Sequence, residues 1–589
     1  MSDKPVVLFD GKCGFCRIWI QYWDQLTGRA VEYVASQDAG LSYPEIPPAN
    51  FGQSVQVVLP EGEVIGGARA VFTTLKYAPG TAWLLWIYDH VPGFAPVTEA
   101  LYRLIAAHRT LFYHLTRFTF GRNISPLRYA GVEWLFLRIL GAIYFVAFSS
   151  FGLQIKGLVG ARGILPAGRF LTAVHDMFGF ESYWMAPSVF WIAYTDAFLT
   201  GVCVAGAAIS LVLVAGYLER PTLVLLYILY LSLCTIGQDF MSFQWDMLLL
   251  EAGFLAIFLG SSKTIILLFR WLLFRLTFLS GAVKLLSHDG TWRSFNAMNF
   301  HYWTQPLPTP IAWYMAQLPL WFQRFSTAAV LFIELPVPFL IFAPRRWRFF
   351  SAGCILFLQA LIFVTGNYTF FNLLTMALCL FLFDDAALAK LRLKIRNVHT
   401  RPAVIGAVAL LIVTLSGLEL WGMFFAGGDS AVVRVAAPFG IVNTYGLFAV
   451  MTTSREEIVV QGSNDGDNWL DYEFKFKPGD LKKAPRWVAP YQPRLDWQMW
   501  FAALSNYQSN SWFSNFMLRL LQGSPDVLGL LAKNPFPDAP PKYIRAWVFD
   551  YSFTDAAKRR ATGDWWARVP RGSYFPATAL RTSPPEAAP

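Results

Sequence analysis

The sequence predicts a multi-domain fold: a small α/β domain, then a polytopic α-helical membrane bundle of about nine spans, then a soluble α+β or β-rich domain. Three observations predict it. A hydrophobic strand followed by a Cys-x-x-Cys pair opens the chain, apolar runs crowd residues 133–426, and alternating polar and apolar residues return after 430. Composition agrees: 55% of the 589 residues are hydrophobic, 17% aromatic and only 15% charged, where a soluble chain carries about a quarter charged.

Residues 1–122 make up the first domain. VVLF (6–9) reads as a buried strand, DGKCGFC (10–16) as a turn, and RIWIQYWDQLTG (17–28) as an amphipathic helix ending on glycine. VEYVAS (31–36) and VQVVLP (55–60) are further strands, GEV (62–64) begins a hairpin partner, and 68–116 read as helical. Strand, CxxC turn, helix, strands, helix is the thioredoxin-like order. Thiols on the first turn of a helix feel its positive end, which favours a thiolate at the first of them. Cys13 is therefore the expected nucleophile and Cys16 the resolving thiol, with Asp10 at the head of the motif a third catalytic candidate. A zinc pair is the competing reading, but it needs a second pair of ligands, and His90, His108 and His114 lack that spacing. An inert relic domain is another. No metal and no cofactor beyond the dithiol is expected. The start, MSDKPVVLFDG, has no apolar leader, so the domain is expected to stay in the cytoplasm.

The nine candidate spans are 133–153, 187–217, 221–236, 245–260, 264–286, 326–343, 348–365, 369–383 and 403–426; crossing a bilayer takes roughly 20 helical residues. Arg345, Arg346 and Arg348 fill one short connection, and Lys390, Arg392, Lys394, Arg396 and Arg401 another. Basic loops face the cytoplasm. This explains the net charge of +10 without nucleic acid, and nine alternating spans leave the C-terminal domain outside. A multi-pass cell inner membrane protein, of bacterial type, fits best. The long run 187–217, read either as one helix or as two, is the point on which that parity turns.

Ionisable residues inside spans are functional candidates, because each is costly there unless paired. At about 1.5 Å per residue, Asp196, Glu251, Arg275 and Glu334 fall roughly 8–14 Å below the outer surface. Similar depth suggests one polar site, with Glu251 and Arg275 a pair; a structural ion-pair network is the equal alternative. Pro336 and Pro338 should kink the helix after Glu334. Trp184, Trp292, Trp303, Trp313 and Trp321 lie in the outer loops 154–186 and 288–325, where an interfacial aromatic belt and a docking surface for an apolar client are both open readings. Cys203, Cys234, Cys354 and Cys379 lie within apolar runs; ordinary packing is favoured there over an electron relay.

After 430, IVVQGSNDGDNWLDYEFKFKPG and YIRAWVFDYSF (543–553) read as strands, 495–533 as helical, and RTSPPEAAP (581–589) as a disordered tail. No cysteine follows Cys379, so the 430–580 domain is expected to fold without disulfides.

Two resemblances sharpen this. Asp10-Gly11-Lys12-Cys13-Gly14-Phe15-Cys16 after its strand resembles the DxxCxxC motif of the DCC family of thiol-disulfide oxidoreductases. The likeness runs over 1–122, through VQVVLPEGEVIGGARA and YRLIAAHRTLFYHLTRFTFG; the commoner form of the motif has Pro where Gly14 stands. Residues 133–570 resemble the lipase maturation factor family in GLVGARGILPA (157–167), QWDMLLLEAGFLAIFL (244–259), RLTFLSGAVKLLSHDGTWRSF (275–295), NFHYWTQPLPTPIAWY (299–314), NYTFFNLLT (367–375), YQPRLDWQMWFAAL (491–504) and KNPFP (533–537). The resemblance implies a membrane chaperone that helps an exported lipase-like client reach its active fold, with a cytoplasmic thiol reductant and membrane lipids as further partners. Two alternatives stay open. One is a membrane enzyme similar to vitamin K-dependent carboxylases that uses Glu251 and Arg275. The other is a membrane-anchored thiol-disulfide oxidoreductase.

Overall fold

The computed structural model describes every residue except 1–2, 40–41, 44–45, 122–123, 125–126, 392–397, 399, 427–429 and 581–589. The expected tail and three of the five basic residues in the 390–401 connection therefore lie outside the described residues. The described chain forms two compact units. One runs up to Arg128 and takes in Phe342–Phe350; the other holds the rest.

In the first unit, β1 (Val6–Phe9) is followed by α1 (Gly14–Thr27), β2 (Glu32–Ala35), β3 (Gln56–Val58) and β4 (Val64–Gly66). The sheet order is β2-β1-β3-β4, with β1 parallel to β2 and antiparallel to β3. Helices α2 (Gly67–Lys76), α3 (Ala82–His90), α4 (Phe94–Ala107) and α5 (Arg109–Phe120) complete it. Val6, Val7 and Leu8 are buried, as a continuous apolar run on a central strand requires.

Among the described residues, seven helices are long and apolar enough to cross a membrane: α6 (Ala130–Gly152), α7 (Asp196–Ala215), α8 (Glu219–Met241), α10 (Lys263–Leu286), α11 (Leu320–Phe342), α12 (Arg345–Thr365) and α14 (Pro402–Phe425). The run 187–217 is one long helix, α7, preceded by a single 3₁₀ turn, Val189–Trp191. The other two candidate spans are shorter than a bilayer crossing: α9 (Gln244–Ala256) and α13 (Phe371–Leu378). Both nevertheless run between the two ends of the bundle. At the start of α9, Trp245 donates to Gln492 of the C-terminal segment; after its end, the Ser261 amide donates to Glu133 near the start of α6. Before α13, Asn367 Nδ2 donates to Arg486 O; after it, Asp385 accepts from the Gly131 and Val132 amides. Ten of the thirteen α9 residues are buried in protein, so the helix needs no lipid-matched length and tolerates Asp246 and Glu251. In α11 the regular helix stops at Glu334 and resumes as a 3₁₀ stretch, Val337–Phe342, because Pro336 and Pro338 cannot continue the hydrogen-bond ladder.

The C-terminal domain packs on one end of this bundle. Its main sheet has the order β10-β9-β5-β6, made of β5 (Arg455–Ser463), β6 (Leu470–Asp471), β9 (Tyr543–Phe553) and β10 (Trp566–Ala579). β7 (Glu473–Phe474) and β8 (Leu531–Lys533) form a second, small sheet. Helices α15 (Arg494–Ala503) and α16 (Ser511–Leu521) lie between them in sequence, and Trp512, Phe513 and Phe516 of α16 are core residues.

Candidate functional site

Cys13 ends the turn after β1 and is the N-cap of α1; its Sγ accepts from the Cys16 amide at 3.3 Å. That contact satisfies one of the amides a helix start leaves unpaired and sets the positive end of an amide dipole against the Cys13 sulfur. Both thiols are half-buried and free. Burial, then the hydrogen bond with Cys13, pushes the Cys16 thiol up to about 12. At neutral pH Cys16 thus holds its proton, as a resolving thiol does before attack. Asp10 shapes the turn: its Oδ1 accepts from the Lys12 amide (3.0 Å) and Gln37 Nε2 (2.9 Å), and its Oδ2 lies 3.8 Å from Arg109 Nη1. Gly14 has a local reason, since a Cβ there would stand 3.2 Å from the Tyr113 ring. Cys16 also faces an apolar cavity of about 370 Å³, walled by Phe15, Trp19, Phe72 and Phe112, with Asp10 and Arg109 among its few polar groups.

The four membrane charges do not share one site. Glu251 and Arg275 form a buried ion pair. Glu251 Oε2 also accepts from Tyr445 Oη (2.7 Å) and the Asn443 amide (3.1 Å), while Arg275 Nη1 donates to Asn443 O (3.0 Å). The pair therefore pins segment 440–446 to the bundle. Glu334 pairs instead with Lys284, at 2.8 Å. Asp196 opens α7 and accepts from the Ala161 amide at 2.8 Å, fixing the loop before it.

The most engaged charges were not singled out by the depth argument. Arg494, at the start of α15, reaches into the bundle and makes two 2.8 Å hydrogen bonds to Asp246 of α9. It also donates to Phe240 O at 2.6 Å, and Tyr230 Oη donates to Asp246 at 2.5 Å. Arg455 joins Glu457 and donates to the carbonyls of Trp303, Gln305 and Pro306, while Lys477 meets Glu457 at 3.0 Å. Both residues of the Asp246–Arg494 pair sit inside motifs quoted above, but neither local stretch names the partner.

Of the loop tryptophans, Trp292 and Trp313 are buried, and the indoles of Trp184 and Trp292 donate to Val435 O and Phe448 O. Trp321 is exposed. Cys203 packs where a Cβ on Gly152 would come within 3.0 Å, a close approach of α6 and α7. Among the described residues no three His, Cys, Asp or Glu gather at metal-binding spacing.

Comparison with known proteins accounts for this layout. Residues 7–115 match the family described as DCC1-like thiol-disulfide oxidoreductase, 132–390 the lipase maturation factor transmembrane domain, and 441–576 the lipase maturation factor C-terminal domain. The chain is 37% identical over 518 residues to lipase maturation factor 1 of Bos taurus, covering 77% of this chain and 91% of that protein. It is 35% identical over 579 residues to lipase maturation factor 2 of Gallus gallus, covering 76% and 81%, and 34% identical over 506 residues to lipase maturation factor 1 of Homo sapiens, covering 77% and 89%. No solved structure matches the chain. A likeness this long, through bundle and C-terminal domain alike, is that of a family member: the chain belongs to the lipase maturation factor family and carries a DCC1-like thiol-disulfide oxidoreductase domain ahead of it.

Proposed function

We propose that the chain is a multi-pass membrane maturation factor that holds an exported, lipase-like client while it folds, and that its N-terminal dithiol serves a separate cytoplasmic exchange. The observation that carries this reading is the buried seam of Asp246–Arg494 and Glu251–Arg275–Asn443, which makes bundle and C-terminal domain one body. A client then meets a fixed surface rather than a tethered module. Met177, Phe180, Trp184, Met185 and Ile192 are exposed in the segment that connects α6 to α7, an apolar surface suited to an unfolded chain. The domain limits 1–122, 133–426 and 430–580 follow the same division of labour.

The membrane is the cell inner membrane in this reading, with the N-terminus in the cytoplasm and the C-terminal domain outside. An odd number of passes and the basic turn at Arg345 and Arg346 support it. The exchange step runs as follows. Cys13 Sγ attacks a substrate disulfide, forming a mixed disulfide and releasing one substrate thiol. Cys16 loses its proton and attacks Cys13, closing a Cys13–Cys16 disulfide and releasing the second thiol. A cytoplasmic thiol reductant then restores the pair.

Glu251 and Arg275 are assigned to the seam rather than to catalysis, because they are buried and line neither the cavity beside Cys16 nor the one between α10, α11 and α12. Two measurements test the proposal. Cys16→Ser should trap a mixed disulfide at Cys13 that reductant releases, and photocrosslinkers at Phe180 or Trp184 should capture a co-expressed lipase during export. Absence of any trapped species, or capture only from the N-terminal domain, would overturn the corresponding half.

A further inference from the structure

A second cavity, of about 330 Å³, lies where α10, α11 and α12 meet the short helix Ala297–Thr304 and residues Leu447 and Phe448. Ligand pockets in proteins run from about 300 to 1,000 Å³, so it has room for a small head and the first part of an acyl chain, the rest lying in the bilayer. Its mouth opens between two membrane helices. Phe325 of α11 and Phe357 of α12 line it and are 64% and 61% exposed; on spans, that exposure is to lipid.

The polar end is built and electrically neutral. Lys284 Nζ forms an ion pair with Glu334 Oε2 at 2.8 Å and donates to Ser280 O (2.8 Å) and Leu447 O (3.2 Å). Among the described residues, three side-chain oxygen or nitrogen atoms lining the cavity are buried without a hydrogen-bond partner: Glu334 Oε2, which Lys284 neutralises as an ion pair, and Asn372 Oδ1 and His301 Nδ1, which have no ion-pair partner. Both residues line the cavity; Asn372 is fully buried and His301 is 8% exposed. The amide nitrogen of Asn372 is used by Gln359 at 2.7 Å, which leaves its oxygen as an acceptor wanting a donor. Buried polar atoms are ordinarily satisfied, and each exception asks for an explanation.

We propose that this cavity binds a neutral, hydroxyl-bearing lipid of the acylglycerol type, which enters sideways from the bilayer. Its acyl chain lies between α11 and α12, and its hydroxyls donate to Asn372 Oδ1 and His301 Nδ1. A carboxylate or phosphate head is disfavoured because the one cation lining the cavity is already neutralised by Glu334. The site is independent of the dithiol and of the seam.

The test uses the full chain in phosphatidylcholine nanodiscs with a diazirine-bearing monoacylglycerol as probe. Labelling should concentrate on the cavity faces of α11 and α12. Unlabelled monoolein should compete, while oleate and methyl oleate at equal mole fraction should compete at least fivefold less. Ala329→Trp, which fills the cavity, should lower labelling at least tenfold; if that variant unfolds below the parent, Ser326→Leu narrows the same wall and decides. His301→Phe with Asn372→Leu should remove the preference for monoolein over methyl oleate. Labelling spread over all lipid-facing helices and unchanged by a folded filling variant would overturn the proposal. Equal competition by oleate would overturn its head-group selection.

Discussion

Replacing Arg494 by methionine removes one partner of a wholly buried ion pair. Asp246 and Arg494 are 0% and 1% exposed, joined by two 2.8 Å hydrogen bonds, and the guanidinium also sits over the Phe151 ring at 5.2 Å. In Arg494→Met, Asp246 keeps only the Tyr230 hydroxyl, and a buried charge left unpaired costs about 3–5 kcal/mol. Replacing both residues by apolar ones of similar volume is often neutral, so Asp246→Leu/Arg494→Met should recover most of that loss. The assay is native-state hydrogen exchange in nanodiscs, read on the amides of α9 and α15, which reports local opening. A cost of about 4 kcal/mol appears as roughly a thousandfold faster exchange in the single variant. Exchange within threefold of the parent, or a double variant as fast as the single one, would refute the view that this pair welds the C-terminal domain to the bundle.

Three further outcomes are expected. Because burial holds Cys16 protonated up to about 12, brief iodoacetamide treatment of the reduced protein at pH 8 should alkylate Cys13 at least tenfold faster than Cys16; equal rates would reverse their roles. Burial, with the charge of Lys284 second, pushes the His301 imidazole down from 6.5 to about 4. The neutral ring thus contributes stability that is full above pH 6.5 and is lost as pH falls toward 4, roughly 3 kcal/mol in all, and His301→Phe should flatten that part of the unfolding-midpoint profile. Finally, a Cβ on Gly281 would lie 2.9 Å from Glu334 Cβ, where α10 and α11 touch; Gly281→Val should cost about 1–3 kcal/mol of overpacking, seen as a lower thermal midpoint, and an unchanged midpoint would show that the helices can separate there.

How much of this was legible depends on the range of the interaction. Local patterns carried far: VVLF leading into DGKCGFC gave β1, the turn and α1, and each apolar run gave a helix at its own place. What periodicity could not show is that α9 and α13 are short because they are sheathed in protein, since burial is a property of neighbours. Depth along a helix placed Glu251 and Arg275 in one layer, and they do meet. Depth alone could not assign Glu334 to Lys284, nor detach Asp196, which serves a backbone amide beside a helix start. The Asp246–Arg494 pair spans 248 residues and joins two domains; nothing in either local sequence names its partner. The strand Trp566–Ala579 was missed because its prolines, Pro570 and Pro576, argue against a strand, and an edge position tolerates them.

The central claim is most directly tested by the specific activity, per molecule secreted, of a co-expressed lipase. It is measured with the intact protein, with the Cys13→Ser/Cys16→Ser variant, with Arg494→Met, and without the factor. The account predicts that the intact protein and the dithiol variant raise specific activity alike, and that Arg494→Met loses the effect. An unchanged specific activity with the intact protein across several exported lipases would contradict it.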